Sequence, residues 1–136
     1  MRVLVDTDVV SYAFRKDDVF ESFYGPRLVG LLPHVSFMTI AEIEYGVRRR
    51  SWGERRQSDM RDFIAQHFST IDPTLETSQT WGKILAEAEM SGRHLKDADG
   101  WVAATALYHD MPLMTNNRRD FEFIPGLQLI TQDGSA

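Results

Sequence analysis

Two aspartates one residue apart, Asp6 and Asp8, stand directly behind the apolar run Val3-Leu4-Val5. Paired carboxylates at the end of a buried strand suit two kinds of chemistry: they can hold a divalent cation, or act on a phosphate as nucleophile and acid. Glu42, Asp99 and Asp120 are the further acids that a fold can bring beside them, with Thr115, Asn116 and Asn117 as neutral polar neighbours. Three or four converging carboxylates repel, and one would normally stay protonated unless a cation removes that cost. An all-oxygen donor set favours Mg²⁺ or Mn²⁺, and Mg²⁺ takes only one or two carboxylates directly and keeps several waters.

These residues matter only if backbone elements deliver them to one place. Val3 to Val5 reads as a strand apolar on both faces, as in the interior of a parallel sheet. Helical material follows to about Tyr24 and breaks at Gly25-Pro26; VSFMT, residues 35–39, reads as a second strand. The helix from about Ala41 has Ile40, Ile43 and Val47 on one face, residues 55–68 are amphipathic, and 68–72 read as a third strand. A helix from about Ser78 to Met90 stops at Ser91-Gly92, and DADGWVAATALYHD is a strong helix. Leu113 to Thr115 and Leu127 to Ile130 are the fourth and fifth strands, separated by the loop NNRRDFEFIPG. Strands alternating with helices predict right-handed crossovers. The expected architecture is one three-layer α/β/α domain over residues 1–131, with a mostly parallel five-stranded sheet and a short C-terminal tail, 132–136.

Ligands of such sheets bind beyond the carboxyl ends of the strands. Asp6 and Asp8 follow the first strand, Glu42 the second, and Asn116, Asn117 and Asp120 the fourth, so all share one edge. Asp99 joins them by helical spacing, with Val102, Ala103 and Ala106 on its inward face, whereas Asp97 projects with Trp101 and Ala104.

Each residue also has a structural reading. Thr39-Ile-Ala-Glu42 spells a capping box, Asp97 suits an N-cap, Asp99 suits the dipole of a first helical turn, and Asp8 can bond the turn after the strand. Convergence of Asp6, Glu42 and Asp99 favours function, because three independent structural explanations must otherwise coincide.

With 43% apolar and 26% charged residues, the chain has the composition of a soluble globular domain. It lacks cysteine, which excludes disulfides, thiolate zinc sites and a cysteine nucleophile. No signal-like segment and no apolar run approaching the ~18 residues of a membrane span is present, so the expectation is a cytoplasmic protein without membrane contact. A net charge of −5 argues against a general nucleic-acid coat but not against a nuclease, since cation-binding carboxylates count as negative in a sequence total. The one dense basic stretch, Arg48, Arg49, Arg50, Arg55, Arg56 and Arg61, can track phosphates or bind an acidic partner, or is simply a solvated helix face. The four histidines show no ligand spacing, and Trp52 and Trp101 suit packing better than base stacking.

VLVDTDVVS, TIAEIEYG, DADGWVAATAL and LMTNNRRDF, in this order across residues 3–131, resemble the four signature segments of PIN-domain ribonucleases, specifically the VapC toxins of bacterial toxin–antitoxin pairs. The resemblance implies a Mg²⁺-dependent endoribonuclease, with Mn²⁺ as substitute, usually a homodimer and held inactive by a VapB-type antitoxin. By position, Asp6, Glu42 and Asp99 are then the catalytic and metal-binding acids. Asp120 matches the aspartate of the T-x-N-x-x-D-F form, and Asn117 stands where some members carry a fourth acid. Asp8 occupies a position where asparagine is frequent, and Thr115 and Asn116 suit the positioning of a ligand or water. The expected substrate is structured RNA such as tRNA or rRNA, cut to leave a 5′-phosphate and so to inhibit translation, because proteins read RNA sequence mainly in unpaired loops.

Two other readings stay open at this level. DTDVV also fits the D-x-D-x-[TV] pattern of haloacid dehalogenase-type phosphatases, with Asp6 as nucleophile, Asp8 as acid and Thr39 on the phosphate. Against it stand the short chain and the lack of an acidic pair directly after the fourth strand. The third reading is a degenerate, non-catalytic domain that only binds RNA or protein.

Overall fold

Strands β1 (Arg2–Val5), β2 (Leu32–Ser36), β3 (Ser69–Ile71), β4 (Leu113–Met114) and β5 (Leu129–Ile130) form a five-stranded sheet in the order β3-β2-β1-β4-β5. The computed structural model describes residues 1–132, so most of the expected tail, 133–136, lies outside the described residues. All the strand pairings are parallel, with Leu4 opposite Leu113 and Val5 opposite Met114. The helices are α1 (Thr7–Arg15), α2 (Gly25–Leu28), α3 (Phe37–Arg49), α4 (Glu54–His67), α5 (Leu75–Met90), α6 (Asp97–Tyr108) and α7 (Arg118–Phe121), and a π-helical turn spans Phe20–Tyr24.

The central strand explains its own composition. Val3 and Val5 point into a core with Val35, Ile43, Val47, Met60 and Ile64, whereas Leu4 points to the opposite face and packs with Leu113, Ile84, Ala88 and Val102. Helices cover both faces, so all three residues are fully buried, each contributing about 1.5–3 kcal/mol by leaving water. The three-layer α/β/α expectation holds.

Several local boundaries differ from the sequence reading. β2 ends at Ser36, and the helix starts at Phe37 rather than near Ala41, because the Ser36 side chain accepts a hydrogen bond from Met38 N and caps α3. Thr39 and Glu42 therefore lie inside the helix, and the expected capping box is absent. Gly25-Pro26 does not end the helical stretch; Pro26 sits in the first turn of α2, where its missing N–H costs nothing. α5 starts three residues earlier than expected, at Leu75, under a capping box made by Thr74 and Thr77. It stops as the sequence foretold, with Gly92 at φ +74° just beyond. Asp97 is not an N-cap: Lys96 holds that position and Asp97 opens α6. The loop before β5 contains the short helix α7.

Gly100 lies in tight packing. A Cβ there would stand 2.4 Å from Leu85 Cδ1 and 3.0 Å from Trp81 Nε1, so an alanine would make the Leu85 side chain turn aside. Trp81 fixes the same junction by donating from Nε1 to the Asp97 carbonyl at 3.1 Å. Asp99 is thereby seated beside a tight helix–helix contact.

Candidate active site

Asp6 stands where strand becomes helix. Its backbone N–H extends β1 by donating to the Met114 carbonyl at 2.9 Å, while its carboxylate Oδ1 caps α1 by accepting from Thr7 N at 2.8 Å. The other oxygen, Oδ2, accepts from the Thr115 hydroxyl at 2.8 Å, and that hydroxyl accepts from Asn117 N at 3.0 Å. In the first turn of α1, Asp8 accepts from Val9 N at 2.7 Å and from Asn116 N at 3.0 Å. The two aspartates thus tie the chain leaving β1 to the chain leaving β4. This is the switch point of the sheet, where successive connections run to opposite sides of β1.

Glu42 arrives from α3. The Thr7 hydroxyl donates to its Oε1 at 2.7 Å and stands 3.0 Å from the Thr39 hydroxyl. Thr39 is therefore part of the support for Glu42 and is fully buried. Asp99, in the first turn of α6, completes the acids lining one cleft of about 690 Å³ with Asp6, Asp8, Glu42 and Asn117. Asp97 is exposed and outside this lining, as expected, but not for the expected reason: α6 is buried all round from Val102 to Ala106, so its faces alone do not separate the two aspartates.

Asp120 does not line the cleft; it is exposed on α7 and acts on Asp99 through its charge. Asn116 is turned away from the acids by its side chain, whose Oδ1 accepts from the Tyr24 hydroxyl at 2.6 Å. Tyr24 was not singled out from the sequence. Its fully buried hydroxyl also accepts from Gln132 N at 3.1 Å, so the π-helical turn clamps the segment that presents Asn116 N to Asp8. The only sequence cue is a tyrosine in an apolar segment, which needs a buried partner.

The electrostatics follow from burial. Asp6 is 5% exposed. Burial first, then the Asp8 charge, push it from the ordinary 3.8 to about 7, against the hydrogen bonds from Thr115 and Thr7. Asp8 rises to about 6, chiefly through burial, with the Glu42 charge adding to it. Asp99 rises to about 6 through burial and then through the charges of Asp120 and Glu42. Four acids close enough to perturb one another in a half-enclosed cleft are costly alone and fit a hard divalent cation. Among the described residues no three His, Asp or Glu side chains form a ready chelating group.

The basic stretch divides. Arg49 and Arg50 line the cleft beyond Glu42, and Arg15 of α1 lines it too. Arg48 lies 3.6 Å from Glu44, Arg55 lies 3.6 Å from Asp59, and Arg61 binds Glu44 at 2.6 Å, all outside the cleft lining. Arg56 covers the Trp52 ring at 3.7 Å, and Phe14 stacks on that ring at 5.9 Å. Trp101 packs on Trp81 and Phe37. Trp52, half-buried, also lines the cleft.

Known proteins are similar to this chain in sequence and fold. The model of the PIN domain family matches residues 3–127. Ribonuclease VapC2 of Rickettsia felis is 28% identical, the alignment covering 98% of this chain and 99% of that one. The tRNA(fMet)-specific endonuclease VapC of Shigella flexneri is 29% identical over 74% of each chain. The crystal structure of VapBC2 from Rickettsia felis bound to a DNA fragment from the promoter contains a chain that superposes with a TM-score of 0.85 at 25% identity, covering 98% of this chain and 100% of that one. With the family match spanning nearly the whole chain and the acids gathered at the switch point of a parallel sheet, this chain belongs to the PIN domain family.

Proposed function

We propose that the chain is a divalent-metal-dependent endoribonuclease acting as the toxin of a VapBC-type pair, and that it cuts structured RNA such as tRNA or rRNA. The observation that carries this is the single cleft lined by Asp6, Asp8, Glu42 and Asp99 in a PIN-family fold. Full-length similarity to named VapC ribonucleases supports the reaction class, and similarity to the chain of a VapBC complex supports a VapB-type antitoxin as partner. A homodimer in the cytoplasm belongs to the same proposal; no helix among the described residues is long and apolar enough to cross a membrane.

Asp6 and Asp99, with Glu42, would hold Mg²⁺ or Mn²⁺, and Asp120 would act from outside by raising the local negative charge. When bound, such an ion stabilises charge developing on a phosphoryl group and lowers the pKa of water. Thr115 and Thr7 fix the two oxygens of Asp6, and Thr7 also fixes Glu42. Glu42 is then placed to accept a proton from the attacking water. The water oxygen bonds to phosphorus, the bond to the 3′ oxygen breaks, and that oxygen takes a proton from solvent, which leaves a 5′-phosphate. The phosphatase reading loses its basis, because the chain belongs to the PIN domain family.

The test is cleavage of a bulk tRNA pool by the purified protein with Mg²⁺ or Mn²⁺, beside EDTA and the Asp99→Ala variant. Cleavage abolished in both controls, with 5′-phosphate ends, is the expected result. Folded, metal-binding protein that cuts no RNA would favour the non-catalytic reading.

A further inference from the structure

The cleft does not end at the acids. One stripe of α3 carries Glu42, Tyr45, Gly46, Arg49 and Arg50 along its wall, the i, i+3, i+4, i+7, i+8 spacing of one helical face. Arg49 therefore lies about 10 Å along the axis from Glu42. Neither Arg49 nor Arg50 makes an ion pair among the described residues, unlike Arg48 and Arg61, which share Glu44 on the other side of the same helix. Gly46 leaves room for the Arg50 guanidinium, whose Nη1 would stand 3.3 Å from a Cβ there. Tyr45 is 69% exposed, and its ring contacts no other ring or cation among the described residues, whereas Trp52 stacks with Phe14 and carries the Arg56 guanidinium. Arg15 lines the same cleft from α1.

We propose that Tyr45, Arg49 and Arg50 form a subsite for unpaired nucleotides flanking the scissile phosphate, with Arg15, which pairs with Asp17 at 3.6 Å, lining the same cleft. Tyr45 stacks on one base, and the two free guanidiniums hold the phosphates that follow. The occupant is single-stranded RNA because an exposed aromatic ring beside unpaired arginines is the combination that such strands require, in a protein whose net charge is −5. Base pairing would remove the exposed base face, so the requirement is for unpaired sequence on this side of the cut. This inference rests on the nuclease reading for the position of the cut, but the subsite itself is tested by binding alone.

The experiment is fluorescence anisotropy of a short fluorescein-labelled oligouridylate with the full chain in EDTA, where metal-supported cleavage is suppressed. Wild type is compared with Tyr45→Ala, the Arg49→Gln/Arg50→Gln double variant, and Arg93→Ala as a cation remote from the cleft. Tyr45→Ala is expected to weaken binding about tenfold, and the double variant to weaken it by at least as much and to flatten the salt dependence; Arg93→Ala keeps wild-type affinity. Annealing the complementary strand is expected to remove the Tyr45 contribution. Equal affinities for wild type, Tyr45→Ala and the double variant overturn the subsite even if tRNA cleavage succeeds. A polyglutamate peptide that displaces the oligonucleotide, with Tyr45→Ala without effect, overturns it in favour of an acidic protein segment. Loss of RNA affinity in the variants of a protein that cleaves nothing upholds the subsite and fails only the nuclease reading.

Discussion

At one end of the cleft Asp6 is 5% exposed and accepts hydrogen bonds from Thr7 and Thr115, Asp8 accepts from Val9 and Asn116, and Glu42 is held by Thr7. At the other end Arg49 and Arg50 are exposed and pair with no acid among the described residues. The acids are short side chains fixed by backbone at a strand end and a helix start, so their geometry is set before anything binds. The arginines are long, keep their rotamer freedom, and give it up only on a ligand. The first arrangement suits stabilisation of charge in a reaction; the second suits capture of a variable strand.

Four substitutions and conditions break or sharpen that contrast. The largest effect is expected at Asp6→Asn, which keeps the shape and the contact to the Thr115 hydroxyl but removes the charge. Cleavage should fall by at least about 10²–10³-fold, the scale of losing one preorganised electrostatic group, while the melting temperature in EDTA stays level or rises. Retained cleavage would show that the chemistry is not at this end.

Next comes pH. The folded-state pKa values of Asp6, Asp8 and Asp99 lie above their ordinary 3.8, at about 7, 6 and 6. The folded protein binds these protons more tightly than the unfolded chain does, so their stabilising contribution is complete below about pH 4 and is lost as pH rises towards 7. Thermal melts in EDTA should show stability from these acids declining across that window, and Mn²⁺ should flatten the decline at its upper end. Melting in EDTA that is flat from pH 4 to 7, or that rises, would mean that the acids are not held in a costly environment.

Thr115→Val should destabilise by about 1–3 kcal/mol, because Asp6 Oδ2 loses its partner in a buried place and the Asn117 N–H loses its own in a part-buried one. Chemical denaturation gives that figure. A loss well below it would show that the acid end relaxes easily and is less fixed than the arginine end only in appearance.

Tyr24→Phe is the smallest. Losing the hydroxyl frees Asn116 Oδ1 and Gln132 N at a cost of about 0.5–1.5 kcal/mol. If Tyr24 positions Asp8 through Asn116, kcat falls several-fold while KM stays near wild type; a stability loss with unchanged kcat would make it a packing residue only.

Much of this was legible in the sequence, and unevenly so. The apolar run Val3 to Val5 foretold a central strand, because only a strand covered on both faces is apolar without alternation. The edge shared by Asp6, Asp8 and Glu42 followed from element order. The helix starts were harder: Thr39 and Asp97 suit a cap chemically, yet Ser36 caps α3 and Lys96 stands at the N-cap of α6. The basic stretch read as one patch, yet its members face different ways, since Glu44 and Asp59 claim Arg48, Arg61 and Arg55 and leave Arg49 and Arg50 to the cleft.

The sequence by itself determined the alternation of strands and helices, the PIN-type segments and the identity of the principal acids, because these depend on local pattern and on order along the chain. Only the tertiary structure decided which groups hold those acids and which cations remain free. Thr115 meets Asp6 across 109 residues and Tyr24 meets Asn116 across 92. A hydrogen bond that closes such a distance exists only once the sheet has set the register of β1 against β4, so no local signal could announce it.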